Sequence, residues 1–99
     1  MLALTRARVP AAEAAAFRTL AEDLLTVLAR AAGYRGGHLG VATDDPELWV
    51  VATEWDGVGA YRRALSAYDV KMSAPPVMAY AVTEPSAFEV LHEQAPAPV

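Results

Sequence analysis

The stretch over residues 47–55, Glu-Leu-Trp-Val-Val-Ala-Thr-Glu-Trp, constrains the fold more than any other. Read as an extended strand, it places Leu48, Val50 and Ala52 on one face and Trp49, Val51 and Trp55 on the other. A strand in an antiparallel sheet usually keeps one face wet, and this one keeps neither. Something must therefore cover the sheet on both sides. The chain has 99 residues, room for one domain. Such a domain buries roughly two thirds of the surface its unfolded form exposes, so its core is thin. Apolar residues nonetheless make up 55% of the sequence, above the usual share. Alanine accounts for much of that excess without adding bulk. The remainder calls for a second buried surface, either a subunit interface or a ligand cavity.

The other elements follow from periodicity. Residues 2–9 alternate as a strand, with Leu2 and Leu4 on one face and Ala3, Thr5, Ala7 and Val9 on the other. Arg6 and Arg8 share the parity of Leu2 and Leu4, so they belong at the rim of the sheet or opposite an acid on a neighbouring strand. Pro10 suits the first turn of a helix, where its missing N–H costs nothing. Phe17, Leu20, Ala21, Leu24, Leu28 and Ala31 then recur as one helical stripe, with Arg18, Glu22 and Arg30 off it. Gly33 supplies the left-handed residue that ends such a helix. Residues 34–43 form a second strand, in which Gly36, Gly37 and Gly40 mark a bulge or a close approach of another backbone. Asp44-Asp45-Pro46 turns the chain into the third strand.

Asp56 is the expected N-cap of a second helix, with Val58, Tyr61, Leu65 and Tyr68 as its apolar stripe. Ser73 is the expected cap of a short third helix, because Pro75 and Pro76 fit only a first turn. Val77, Met78 and Tyr80 would pack it. Residues 87–92 make a final strand, and residues 94–99 a frayed tail. The order β-α-β-β-α-β predicts a single α+β domain over residues 1–93, ferredoxin-like with an antiparallel sheet. Its two main helices cover one sheet face. A second copy packed face to face about a two-fold axis is the economical cover for the other. The alternative is a monomer with a partly apolar open sheet.

Several function classes drop out. No apolar run approaches the roughly 20 residues of a membrane span. The N-terminal Met-Leu-Ala-Leu-Thr-Arg meets a charge too early for a signal peptide, which predicts a cytoplasmic protein. There is no cysteine, hence no disulfide, thiolate ligand or thiol nucleophile. A net charge of -4 argues against nucleic-acid binding. Asn and Ile are absent and Lys71 is the only lysine, the bias of a GC-rich bacterial genome. Glu22-Asp23, Asp44-Asp45 and Glu93 are too scattered to form a metal cage or a carboxylate pair. Ser66 and Ser73 lack a nucleophile-elbow setting.

The segment Val51-Ala52-Thr53-Glu54-Trp55-Asp56-Gly57-Val58-Gly59-Ala60-Tyr61-Arg62-Arg63 resembles the antibiotic biosynthesis monooxygenase family. Family members end the third strand in Glu-Trp and start the second helix within a few residues, with an aromatic on its buried face. The element order matches from residue 2 to about 92. The resemblance implies a dimeric α/β barrel and cofactor-independent oxidation, without metal, flavin or haem, of small electron-rich aromatics such as quinols and polyketide phenols. The substrate anion then reduces dioxygen directly. The protein supplies an apolar pocket, stabilises that anion and delivers protons. Trp55 and Tyr61 reproduce the Trp and Tyr spacing of the polyketide branch. That branch also carries an Asn on the strand before the Trp, where this chain has Val51. A haem-degrading branch uses an Asn, a Trp and a helix-borne His, of which only Trp55 has a counterpart, so haem degradation is disfavoured.

Each candidate residue has a structural reading beside its functional one. Trp55 is either a core residue at a strand end or a pocket wall. Tyr61 and Tyr68 lie on one helix face, and their hydroxyls need partners if buried. Tyr61 either hydrogen-bonds a phenolate, relays a proton or only packs. Arg62, Arg63 and Lys71 are the nearest cations and either favour an anionic substrate or are solvated surface charges. His38, among small residues, is a pocket base or a residue of the dimer interface. His92 is expected to be exposed. A closed pocket walled by Trp55, Tyr61, Tyr68, Met72 and Met78 is expected if the chain binds an aromatic. The alternative to an oxygenase is a non-catalytic ligand-binding or accessory dimer, favoured by the missing Asn and by the scarcity of inward polar groups. A bare dimerisation module leaves the aromatic cluster unexplained.

Overall fold

The computed structural model describes residues 1–99. Strand β1 (Leu2–Arg8) leads through a 3-10 turn into helix α1 (Ala14–Leu28). Strands β2 (Tyr34–Ala42) and β3 (Asp45–Trp55), helices α2 (Val58–Leu65) and α3 (Tyr68–Met78), and strand β4 (Ala87–Phe88) follow. The sheet order is β2-β3-β1-β4, antiparallel throughout, which is the ferredoxin-like arrangement. Its centre is the pairing of β1 with β3, from Leu2 opposite Glu54 to Arg8 opposite Leu48.

Parity decides which side of the sheet is wet. Ala3, Thr5 and Ala7 of β1 and Val9 just after it are buried, as are Val51, Thr53 and Trp55 of β3. Phe17, Ala21, Leu24 and Leu28 of α1 close over them, joined by Ala60 and Ala64 of α2 and by Val70 and Val77 of α3. Leu2, Leu4, Leu48, Val50 and Ala52 point to the outer face, where they are half-buried. Arg6 and Arg8 of that face are exposed and paired as their parity predicts. Arg6 holds Glu84 through both oxygens at 2.6 and 2.9 Å, and Arg8 holds Asp45 at 2.6 Å. These bonds keep the Glu84 and Asp45 carboxyls below their ordinary range and raise the already high Arg6.

Five local expectations need correction. The second helix does not run on to Tyr68: α2 stops at Leu65, and Ala67, extended at φ -67° and ψ 140°, redirects the chain into α3. Ser73 is no cap but lies inside α3, with Pro75 and Pro76 in the helix interior. That is tolerated because Lys71 and Met72, whose carbonyls lose their donors, lie with both prolines on the exposed side. Asp56 does not cap α2; Gly57 does, with no side-chain bond, while the Asp56 N–H donates to the Gly33 carbonyl at 2.8 Å. The last strand pairs only over Ala87–Phe88, opposite Ala3 and Leu2, and residues 89–99 form no regular structure. The hairpin turn is Thr43-Asp44, with Asp45 and Pro46 already in β3, where proline is acceptable at a strand start.

Two glycines earn their positions. Gly33 has φ +88°, and a Cβ there would stand 2.5 Å from the Ala60 methyl, so it lets α2 dock against the end of α1. A Cβ on Gly37 would overlap the Tyr34 hydroxyl. The glycine-rich strand also carries the expected bulges, between Tyr34 and Gly36 and between Val41 and Ala42.

Candidate functional site

Strand parity and helix spacing bring Trp55 and Tyr61 together. Trp55 ends β3 facing inward, the chain turns at Asp56-Gly57, and Tyr61 comes round one turn into α2. Their rings lie 5.6 Å apart at a 55° tilt, and Tyr34 meets the other side of Trp55 edge-on at 5.3 Å. Trp55 is fully buried, and its indole N–H donates to the Thr53 hydroxyl at 2.8 Å. It is thus satisfied within the protein and props Tyr61 from behind.

Beyond Tyr61 lies a cavity of about 30 Å³ between the sheet and the helices. Ala3, Thr5, Val51 and Thr53 form its floor, Leu24 and Leu28 its back, and Leu65, Ala74 and Met78 its cover. That volume takes a water molecule or two, not an aromatic ring. Leu65 and Met78 are 39% and 40% exposed, so the cover is made of side chains that can swing into solvent. The polar groups at the cavity are the Tyr61, Thr5 and Thr53 hydroxyls, and no carboxylate, imidazole or cation lines it. Tyr61 is half-buried and its hydroxyl makes no hydrogen bond within the chain; by contrast Tyr80 donates to Glu13 at 2.7 Å. Burial pushes the Tyr61 phenol above its ordinary value, so at neutral pH it carries its proton. It can donate to an anionic oxygen there; it cannot serve as a base.

Of the sequence candidates, Tyr61 and Met78 reach the cavity and Trp55 stands behind it. Tyr68 and Met72 do not: they are 74% and 60% exposed on α3, because the break after α2 rotates them outward. Lys71 is exposed beside them. Arg62 lines a groove near the start of α2. His38 lies on the outer sheet face beside Ala52 and Glu54, with the sheet between it and Tyr61. His92 is exposed, as expected. Thr5 and Thr53 were the residues sequence reasoning passed over. Their signal was legible, since each is polar at an inward-facing strand position and they are the only polar residues in the buried set. Elsewhere on the inner face, Trp49 packs edge-on against Phe17 at 5.5 Å, and its buried indole N–H has no partner. No three His, Cys, Asp or Glu side chains converge as metal ligands would. No helix is long and apolar enough to cross a membrane.

Comparison with known proteins agrees with this architecture. No curated protein matches the sequence. Among solved structures, SnoaB, a cofactor-independent oxygenase from Streptomyces nogalater, superposes with a TM-score of 0.74 at 23% identity, and a variant of it with 0.75 at 24%, each over 93% of this chain and 96% of that one. A putative antibiotic biosynthesis monooxygenase from Nitrosomonas europaea gives 0.74 at 15% identity, over 92% and 98%. A third, from Deinococcus radiodurans, gives 0.70 at 15%, again over 92% and 98%. At these identities the structures establish the shared fold. The sequence model of the family described as antibiotic biosynthesis monooxygenase matches residues 1–71, from β1 through the Trp55–Tyr61 segment into α3. The chain therefore belongs to the antibiotic biosynthesis monooxygenase family.

Proposed function

We propose that this protein is a cofactor-independent monooxygenase of a small electron-rich aromatic, a quinol or polyketide-type phenol, oxidised by dioxygen. The observation that carries the reading is the half-buried Tyr61 phenol, protonated and unpartnered, over an otherwise apolar cavity. In that chemistry the substrate anion gives electrons to dioxygen, and the protein's tasks are to exclude water and hold charge on oxygen. Tyr61 supplies the donor, Trp55 fixes its ring, and Thr5 and Thr53 supply further hydroxyls. Because the cavity holds no base, the substrate loses its proton before it reaches Tyr61. Because the cavity is small, Leu65 and Met78 must swing aside for an aromatic to enter. The working unit in this reading is a homodimer joined through the outer sheet faces, in the cytoplasm of a bacterium, serving secondary metabolism.

The test is dioxygen consumption by metal-stripped protein without added flavin, on a panel of quinols and anthrone-like phenols. Uptake that requires the protein and disappears in Tyr61→Phe supports the assignment. A folded protein that binds these compounds without consuming dioxygen is instead an accessory or ligand-binding member of the family. The lack of a titratable base in the cavity is the observation that favours this second reading.

A further inference from the structure

Thr53 and Trp55 stand two residues apart on β3, so their side chains share its inner face. The Trp55 indole N–H donates to Thr53 Oγ1 at 2.8 Å, and both residues are buried, Trp55 completely and Thr53 to 4% exposure. An indole nitrogen can only donate. The bond therefore occupies a lone pair of Oγ1 and leaves the hydroxyl hydrogen to turn the other way. It is the one hydrogen bond the Thr53 side chain makes, so no group of the chain accepts that hydrogen. What the hydroxyl does border is the inner cavity, which Thr53 lines together with Thr5 and Tyr61. Thr5 is a diagonal neighbour across the strands, since Thr53 stands opposite Ala3 and Thr5 opposite Val51.

From this arrangement we infer that Thr53 donates to the same oxygen as Tyr61, and that Trp55 is the positioning residue that makes it a donor. That this oxygen belongs to a substrate rests on the oxygenase reading; the direction of the hydroxyl rests on the Trp55 bond. A threonine hydroxyl left to itself rotates and accepts as readily as it gives. Held by the indole it is biased to give, and a donor that itself receives a hydrogen bond is strengthened by polarisation. The stiff χ1 of a β-branched side chain keeps its oxygen from swinging away. One donor from the strand and one from the helix then meet a single oxygen, with no cation at the cavity to share the charge. Thr5 has no such N–H behind it, and its hydroxyl stays free to give or to accept. The consequence is a selection by polarity. An oxygen anion satisfies both directed donors, whereas an amine on the same ring brings hydrogens where hydrogens already point.

The probe is 4-nitrophenol, titrated anaerobically into the full chain, its ionisation while bound being read from the colour of the anion. The comparison is 4-nitroaniline, of the same shape. Thr53→Val is expected to make the bound phenol about tenfold less acidic, the effect of losing one charge-assisted contact, and Thr53→Ser to restore it. Trp55→Phe should shift the acidity the same way by less, and 4-nitroaniline should bind the wild type and T53V alike. The Trp55 indole N–H resonance should move in T53V and hold its place in T53S, which separates a lost bond from a disturbed fold. Equal acidity in T53V and the wild type overturns the inference, as does a folded W55F that matches the wild type. If W55F does not fold, the valine and serine variants and the indole resonance decide alone. A Thr53 effect without dioxygen uptake on any quinol would sink the oxygenase reading and leave the donor pair standing. Uptake that is indifferent to T53V would do the reverse, and a wild type that binds no nitrophenol counts against both.

Discussion

At the scale of single residues, Tyr61 is the group whose chemistry is set by its surroundings. Its phenol is raised by burial alone, with no charged neighbour at the cavity. The sign follows: a donor whose folded pKa lies above the ordinary value of about 10 stays protonated through neutral pH and loses its proton only beyond that value. Turnover should therefore hold across neutral pH and fall on an alkaline limb above about pH 10, read from a pH–rate profile. Tyr61→Phe should remove what activity the hydroxyl supports while shifting stability by less than about 1 kcal/mol, because the hydroxyl has no protein partner to orphan. Thermal unfolding of the variant checks the second half. Trp55 and Tyr61 were legible in the sequence because strand parity and a short turn fix both directions. Tyr68 was not. Its spacing from Tyr61 fits one continuous helix, and periodicity does not register the extended Ala67 that ends it.

The elements that cover the site hold the least regular backbone. In α3 two prolines remove the N–H groups that would bond the Lys71 and Met72 carbonyls. Pro76→Ala restores one donor and should stabilise the fold by about 1–2 kcal/mol, a gain measurable by denaturant titration. If the cover must shift to admit substrate, the same variant should turn over more slowly while growing more stable. Gly33 acts in the opposite direction. Its positive φ and its contact with Ala60 leave no room for a side chain, so Gly33→Ala should cost about 1–3 kcal/mol from backbone strain, before any cost of displacing α2. Its unfolding midpoint would fall accordingly. The stripe expected on α2 also came out rotated. Ala60 and Ala64 are the buried residues, while Val58 and Leu65 stand at the rim. Small side chains let α2 lie close to Gly33, and an apolar pattern alone weighs bulky residues above the small ones that actually allow the contact.

For the whole molecule, the order of strands and the layer of helices were readable because alternation in β1 and β3 and the α1 stripe all point to one inner face. The outer face was readable only as an excess. Leu2, Leu4, Leu48 and Val50 stand there half-buried with no helix of the chain above them. Dimerisation through this face predicts that Val50→Asp yields a folded monomer, seen as a halved mass in sedimentation with an unchanged circular dichroism spectrum. An unaltered dimer would place the interface elsewhere. Val51→Asp, one residue on, points into the core at 5% exposure and should prevent folding. The extent of the last strand was the least legible feature at this scale. Apolar residues continue past Phe88, but pairing stops where β1 has no further residues to offer.

Strand β3 carries one further consequence, for how this gene tolerates change. A strand with one wet side accepts replacements at every second codon, and a saturation scan across it shows that two-beat rhythm. In β3 the core holds the inward positions; a dimer through the outer face would hold the outward ones too, and the rhythm should then flatten from Leu48 to Trp55. It should return when the scan is scored on monomer folding alone, with Leu48, Val50 and Ala52 becoming permissive. The gap between the two scans would then map, codon by codon, how much of the strand's sequence answers to folding and how much to assembly.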